Sequence, residues 1–171
     1  MQIRASSLHG DRPTCPAEPN HIVHANGSYE RYANCDDDRK INIPVFRCVP
    51  CGHTMSVLPD DCLPYRPVPV LLVEQYFDAE ANPAQTPEPS ATEKEKGCLK
   101  RACARFKQRV APLCAALGQM IAAVKPTAAQ LWNQLRRTSN LAAILRQLAR
   151  PFNTSLLHDY LCLRPWSGGV D

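Results

Sequence analysis

Cys48-Val-Pro-Cys51, followed directly by Gly52, is the sharpest chemical signal in the chain. Two cysteines at this spacing in a tight turn can hold one metal ion, and a tetrahedral structural site needs a second pair of ligands. Upstream stands Cys15-Pro-Ala-Glu18, the outline of a second knuckle with a glutamate where the second cysteine would be. A carboxylate binds zinc, yet it is harder than a thiolate and rarer in structural sites. The expected cofactor is therefore one zinc ion on Cys15, Glu18, Cys48 and Cys51. His21 or Cys35 stands next in line for the fourth place, and His24 is a further option. The competing reading is a ribbon that has lost its metal and keeps Cys48 and Cys51 as relics. Asp36-Asp37-Asp38 reads as an exposed acidic turn. A thioredoxin-like redox role for Cys48 and Cys51 fits less well, since no βαβ pattern surrounds the pair and no helix start follows to acidify a thiolate.

The elements that must position these residues are small. The chain has 171 residues with sixteen prolines and four phenylalanines, which points away from one large core. A ribbon of about 50 residues has too little apolar area to fold without a staple, and a metal is a common one at that size. The nine cysteines are an odd number, and Met1–Gly10 has no apolar stretch of the secretory type. A reduced, cytoplasmic protein is expected rather than a disulfide framework. No run approaches the roughly 18 apolar residues of a membrane span.

The expected fold class is α+β. It comprises an N-terminal β ribbon with a short trailing helix over 13–80, a disordered linker over 81–96, and a helical region over 97–166 folded as an antiparallel hairpin. Residues 1–14 read as an irregular tail. Val23–Tyr32 is β-like but broken by Asn26-Gly27, a turn signal. Ile41–Arg47 alternates partly, and Pro44 within it argues for an edge strand or a bulge. Val68–Ala79 reads as a helix with Pro69 near its first turn. The segment 81–96 lacks large apolar side chains, as linkers do. Beyond it Leu99, Cys103, Phe106, Val110, Leu113, Leu117, Met120 and Val124 recur at alternating spacings of four and three, an apolar helical stripe. Pro112 predicts a kink or a break there. Thr127-Ala-Ala-Gln130 fits a capping box opening a second helix, with Leu131, Leu135, Thr138, Leu141, Leu145 and Leu148 on one face and Pro151 at its end. The two stripes are expected to pack on each other, with a self-associating coiled coil as the alternative.

At this point a resemblance becomes visible. Cys15-Pro, Asn26-Gly-Ser-Tyr-Glu-Arg-Tyr32, Val45-Phe-Arg-Cys-Val-Pro-Cys-Gly-His-Thr-Met-Ser-Val-Leu-Pro59 and Leu63-Pro-Tyr-Arg66, in that order, resemble the zinc-ribbon proteins of bacterial insertion sequences, the transposase type. The resemblance covers about residues 13–79. It implies a zinc ribbon, association with DNA and a link to mobile elements. The sequence departs from that pattern at Glu18, at Met55 where an aromatic is usual, and in the acidity of the ribbon. The segment Phe152–Trp166 also has the look of a signature, without an activity attached to it.

Catalysis finds little support. No GxSxG, P-loop or GxGxxG motif is present. After residue 96 the only acidic residues are Asp159 and Asp171, too few for a two-metal centre. The chain is thus expected not to be an enzyme and to have no small-molecule substrate. Ser155, His158 and Asp159 are better explained by a helix end, Trp132 and Trp166 by packing, and Ser167–Asp171 by a frayed tail. The net charge of +4 is uneven: residues 1–82 carry seven Lys/Arg against eleven Asp/Glu, whereas residues 97–171 carry eleven against two. If the apolar faces pack together, Arg101, Arg105, Arg109, Arg136 and Arg137 would lie outward and could meet DNA phosphates, the alternative being a solvated face. The expected partner is DNA, through a non-catalytic helper or remnant of a transposon. A protein-binding or self-associating module with no DNA role is the alternative.

Overall fold

The computed structural model describes residues 2–4, 12–15, 17–59, 61–64, 66–118, 125–137, 139–149 and 155–157. Strands β1 (Gln2–Arg4), β2 (Val23–Tyr32), β3 (Lys40–Cys48) and β4 (Thr54–Leu58) form one sheet in the order β1-β4-β3-β2. β2, β3 and β4 are antiparallel neighbours, and β1 pairs parallel to β4, with Ile3 opposite Val57. A two-stranded sheet of β5 (Cys62–Leu63) and β6 (Arg66–Pro69) leads straight into helix α1 (Val70–Ala81). Helices α2 (Glu93–Leu117), α3 (Ala128–Arg136) and α4 (Leu141–Ala149) complete the order. The chain is α+β, as expected, but four helices are described where a trailing helix and a hairpin of two were anticipated.

Three local expectations change, and a fourth is decided between its two alternatives. Part of the supposed tail is strand β1, since Gln2–Arg4 pairs with Ser56–Leu58. Asn26-Gly27 does not break β2: the register slips between Ala25 and Ser28, so β2 holds one extra residue opposite Phe46–Pro44. Gly27 has φ +87°, which a glycine adopts without steric cost, and the resulting bulge lies where Pro44 has no N–H to offer the ladder. Pro44 therefore marks a bulge and not an edge, because β3 is an inner strand. In the segment 81–96, Gln85 and Thr86 donate to Asn82 O, and residues 93–96 already belong to α2. Thr92-Glu-Lys-Glu95 is a complete capping box, with Glu95 N–H on Thr92 Oγ1 and Thr92 N–H on Glu95 Oε2.

The helical stripes behave as their spacing requires. Leu99, Cys103, Phe106, Leu113 and Leu117 on α2 are buried, and Pro112 sits inside one uninterrupted helix on its exposed side. Met120 and Val124 lie outside the described residues. The Thr127–Gln130 capping box forms as expected. The second stripe, however, is shared by two helices. α3 ends at Arg136, Arg136 donates to Ser139 O, and Asn140 takes up Ala143 N–H through its side chain at the start of α4. Thr138 and Pro151 lie outside the described residues.

α1 is the centre of the main core. Val70, Val73, Tyr76 and Phe77 share one apolar cluster with Leu63 and Val68 before them and with residues of α2, α3 and α4 after them. Trp132 is buried as expected, edge-on to Phe77 and Phe106 with centroids 5.1 and 6.0 Å away. Its indole N–H donates to Asp78 Oδ1 at 2.7 Å. Arg136 grips both Asp78 oxygens at 3.2 Å and reaches Glu74 at 3.1 Å, while Glu74 also accepts the Leu141 N–H. Two α1 carboxylates thus fix the start of α4 and the end of α3.

Removing Asp78 leaves the buried Trp132 indole N–H without its acceptor and takes one of two carboxylates from the Arg136 guanidinium. Asp78→Ala is expected to lower unfolding stability by about 2–3 kcal/mol in urea titration. Glu93→Gln, which removes only an exposed i,i+3 pair with Lys96, should change it by no more than about 0.5 kcal/mol.

Candidate metal centre

The knuckle at the end of β3 is built by backbone hydrogen bonds. Gly52 N–H donates to Cys48 O at 3.0 Å and Cys48 N–H to His53 O at 2.9 Å, closing the turn Cys48–Gly52. Gly52 has φ +69°, the left-handed conformation such a turn requires and glycine supplies. The opposite wall is the segment before β2. There His21 N–H donates to Glu18 O at 3.0 Å, and Val49 N–H donates to Ile22 O at 2.9 Å, tying the two walls together.

These turns converge four donors. The Sγ atoms of Cys15, Cys48 and Cys51 and a ring nitrogen of His21 all lie within 4.8 Å of one another. Cys15 Sγ and Cys51 Sγ are 3.4 Å apart, and Cys48 Sγ and His21 Nδ1 are 3.5 Å apart. A tetrahedral zinc with bonds of about 2.3 Å to sulfur and about 2.05 Å to nitrogen places sulfurs about 3.8 Å apart and a sulfur–nitrogen pair about 3.6 Å apart. Three thiols and one imidazole at these separations fit the Cys3His set of a structural zinc site, and the group could hold a metal ion.

Of the residues expected to bind, Cys15, Cys48 and Cys51 are brought together and Glu18 is not in the group. Glu18 is exposed, and its Oε1 accepts the Asn20 N–H at 3.3 Å. Its carbonyl, not its carboxylate, serves the site, because the turn it closes with His21 N–H carries the imidazole to the sulfurs. His24 lies exposed on β2, one residue past Val23, and Cys35 sits elsewhere, 4.0 Å from Cys98 on α2. A residue outside the expected set also reaches the centre: His53 Nδ1 lies 3.0 Å from Cys51 Sγ. Its signal was its place directly after the Cys-Gly of the knuckle, where the turn folds it back on the sulfur.

The electrostatics suit a cation. Burial would raise the Cys51 thiol, but hydrogen bonds from Cys48, from the His53 backbone and from the His21 and His53 rings outweigh it and bring it down to about 5. Burial and the neighbouring Cys51 and Cys15 push Cys48 up to about 11. The Cys51 thiolate is therefore favoured by hydrogen bonds alone, while Cys48 would need a positive charge beside it to ionise. Beneath them Met55 and Cys48 are fully buried beside Val23 and Phe46, so an apolar floor shields the site from water on that side. Met55 fills the place where the resemblance leads one to expect an aromatic.

The basic residues divide. Arg101, Arg105 and Arg137 are exposed. Arg109 and Arg136 do not lie outward as expected. Arg109 is 5% exposed, with its Nε on Ser155 O at 2.9 Å, and Arg136 is held by Asp78 and Glu74. Helix packing leaves buried carbonyls and carboxylates that need donors, and these two guanidinium groups supply them. Ser155 is buried, while His158, Asp159, Cys162, Trp166 and most of the Phe152–Trp166 segment lie outside the described residues. No described helix is long and apolar enough to cross a membrane. No family model, curated protein or solved structure matches the chain.

His21→Ala is expected to weaken zinc binding by more than about 100-fold, since losses at groups that only orient a ligand already cost about 10–100-fold. Glu18→Gln should leave affinity and stoichiometry unchanged. Competition with a chromophoric chelator measures both, and equal losses in the two variants would return Glu18 to the ligand set.

Proposed function

We propose that this is a non-catalytic zinc-ribbon protein whose ion is structural and whose helical body contacts nucleic acid through the phosphate backbone. The observation that carries the reading is the convergence of three cysteine sulfurs and one histidine nitrogen from two chain segments. All four tetrahedral positions have a protein ligand, which leaves no open place for a substrate or an activated water. The order of motifs through the ribbon supports the further reading of a helper or remnant of a transposable element, acting in the cytoplasm.

The contact surface is the outward side of α2. Lys100, Arg101 and Arg105 are exposed there, with Ala104 and Gln108 between and beyond them, and no carboxylate stands on that stretch of helix. Neighbouring cations cost about 1 kcal/mol or less each through mutual repulsion in water and gain when counterions leave a polyanion. No aromatic side chain is interleaved with them, so the contact is to backbone and carries little base readout. A protein-binding role without DNA is favoured by a different observation: Ile22 and Val49 are 63% and 62% exposed side by side at the knuckle.

The triple variant Lys100→Ala, Arg101→Ala, Arg105→Ala is expected to weaken duplex DNA binding and to flatten the log–log salt dependence by about 2–3. The helix keeps its buried face, so folding should be unaffected. Unchanged affinity and slope would remove α2 from the interface. No duplex binding by the zinc-loaded wild type at low salt would overturn the nucleic-acid reading in favour of protein contact at Ile22 and Val49.

A further inference from the structure

A second cysteine pair lies away from the metal centre. The loop between β2 and β3 runs along the first turns of α2 and is fastened to that helix on either side of Cys35 and to β6 through Cys35 itself. Asn34 Nδ2 donates to Glu95 Oε1 at 2.6 Å, Asp36 pairs with Lys94 at 3.6 Å, and Cys35 N–H donates to Pro67 O at 2.6 Å. Between these ties Cys35 Sγ and Cys98 Sγ face each other at 4.0 Å. Both are free thiols; Cys98 is 8% exposed and Cys35 is partly exposed. Arg101 places a cationic donor on Cys98 Sγ at 3.2 Å.

We propose that Cys35 and Cys98 are a redox-active pair that closes to a disulfide under peroxide, locking the β2–β3 loop onto α2. The two sulfurs need to approach by about 2 Å to reach bonding distance of about 2.05 Å, a shift within the reach of side-chain rotation. One sulfur, as its thiolate, attacks a peroxide oxygen; the O–O bond breaks, a sulfenic acid forms and hydroxide leaves with the proton the thiol gave up. The second sulfur then attacks the sulfenic sulfur, the S–O bond breaks and water leaves. Two thiols are oxidised, and one peroxide is reduced to two waters. Burial, reinforced by Cys98 and Glu95, pushes the Cys35 thiol up to about 11, so the attacking sulfur is Cys98, which has the Arg101 guanidinium against it. The ligand cysteines differ, since a bound metal ion would occupy their sulfurs.

The loop so closed spans residues 35–98, long enough for a cross-link to remove considerable freedom from the unfolded chain. It would join a loop of the sheet to the longest helix of the main core. The proposal does not depend on zinc or on nucleic acid.

Trypsin separates the two residues cleanly: Cys35 falls in peptide 32–39 and Cys98 in peptide 97–100, each without another cysteine. The zinc-loaded full chain is treated with a small excess of hydrogen peroxide, alkylated and digested without reductant. The expected product is peptide 32–39 joined to 97–100, two hydrogens lighter than the pair, and absent after dithiothreitol. A rise in Tm of about 5 °C or more should accompany it and vanish in Cys35→Ser. Both peptides recovered singly, as alkylated thiols or as sulfinic acids, would overturn the proposal. So would joining of either to a third cysteine. Peptides with Cys15, Cys48 and Cys51 are read separately, so oxidation there counts against the zinc reading alone.

Discussion

Three sulfurs and an imidazole nitrogen sharing one small volume must settle their charge with protons, with hydrogen bonds or with a cation. In this chain that constraint organises the whole N-terminal part. The sulfurs of Cys15 and Cys51 come from segments 36 residues apart and still meet at 3.4 Å. Around them the apolar cluster is only Cys15, Val23, Cys48 and Met55, with Phe46 and Cys51 at its margin. Half of that cluster is cysteine from the candidate metal centre. The knuckle is therefore held by its turns, and a cation bound to its sulfurs would add to them more than hydrophobic burial does. The split between Cys51, drawn down to about 5, and Cys48, pushed up to about 11, is the same constraint expressed as protonation.

The rest of the molecule is stabilised differently, and α1 shows how the two parts are joined. β6 continues into α1 without a loop, and Leu63, Val68 and Val70 belong to the same apolar cluster as the helices. Arg31, from β2, donates to Leu63 O and Arg66 O at 3.1 and 3.0 Å, tying the large sheet to the small one. The helix that trails the ribbon in sequence is in space the hub of the helical body. It carries Glu74 and Asp78 on the side towards α3 and Glu80 on the side towards α2, and each of them meets a cation from those helices. Acidic residues counted with the ribbon are thus neutralised by basic residues counted with the helices. The charge imbalance between the two halves of the sequence shrinks when the chain folds. What reaches solvent as a basic surface is less than the sum of +9 over residues 97–171 suggests.

Much was legible in the sequence because it depended on local spacing alone. The Cys48–Cys51 knuckle, the α2 stripe from Leu99 to Leu117, the Thr127–Gln130 box and the placing of Pro69 at a helix start each follow from geometry within one or two turns of chain. The α+β class follows from the change of period along the chain. Thr92–Glu95 was equally local. It lay inside a stretch whose low apolar content resembles a linker, although the burial that anchors that helix begins only at Glu95, Cys98 and Leu99.

Tertiary structure decided what spacing could not rank. Between Glu18 and His21 the sequence offers two donors three residues apart; which one faces the sulfurs depends on the turn that Glu18 O and His21 N–H close against a knuckle 30 residues downstream. Among the arginines, Arg109 lies three residues after Phe106 and four before Leu113, on the buried stripe of α2, while Arg101 lies about 80° away and is exposed. What the spacing could not supply was the partner that lets a guanidinium stay there, the Ser155 carbonyl 46 residues on. The division of the second stripe into α3 and α4 and the meeting of Cys35 with Cys98 have the same origin. Each depends on partners more than 60 residues away, Glu74 in the first case and a helix turn in the second. A residue's chemistry is written locally, but whether it is free to use that chemistry is set by what the fold brings against it.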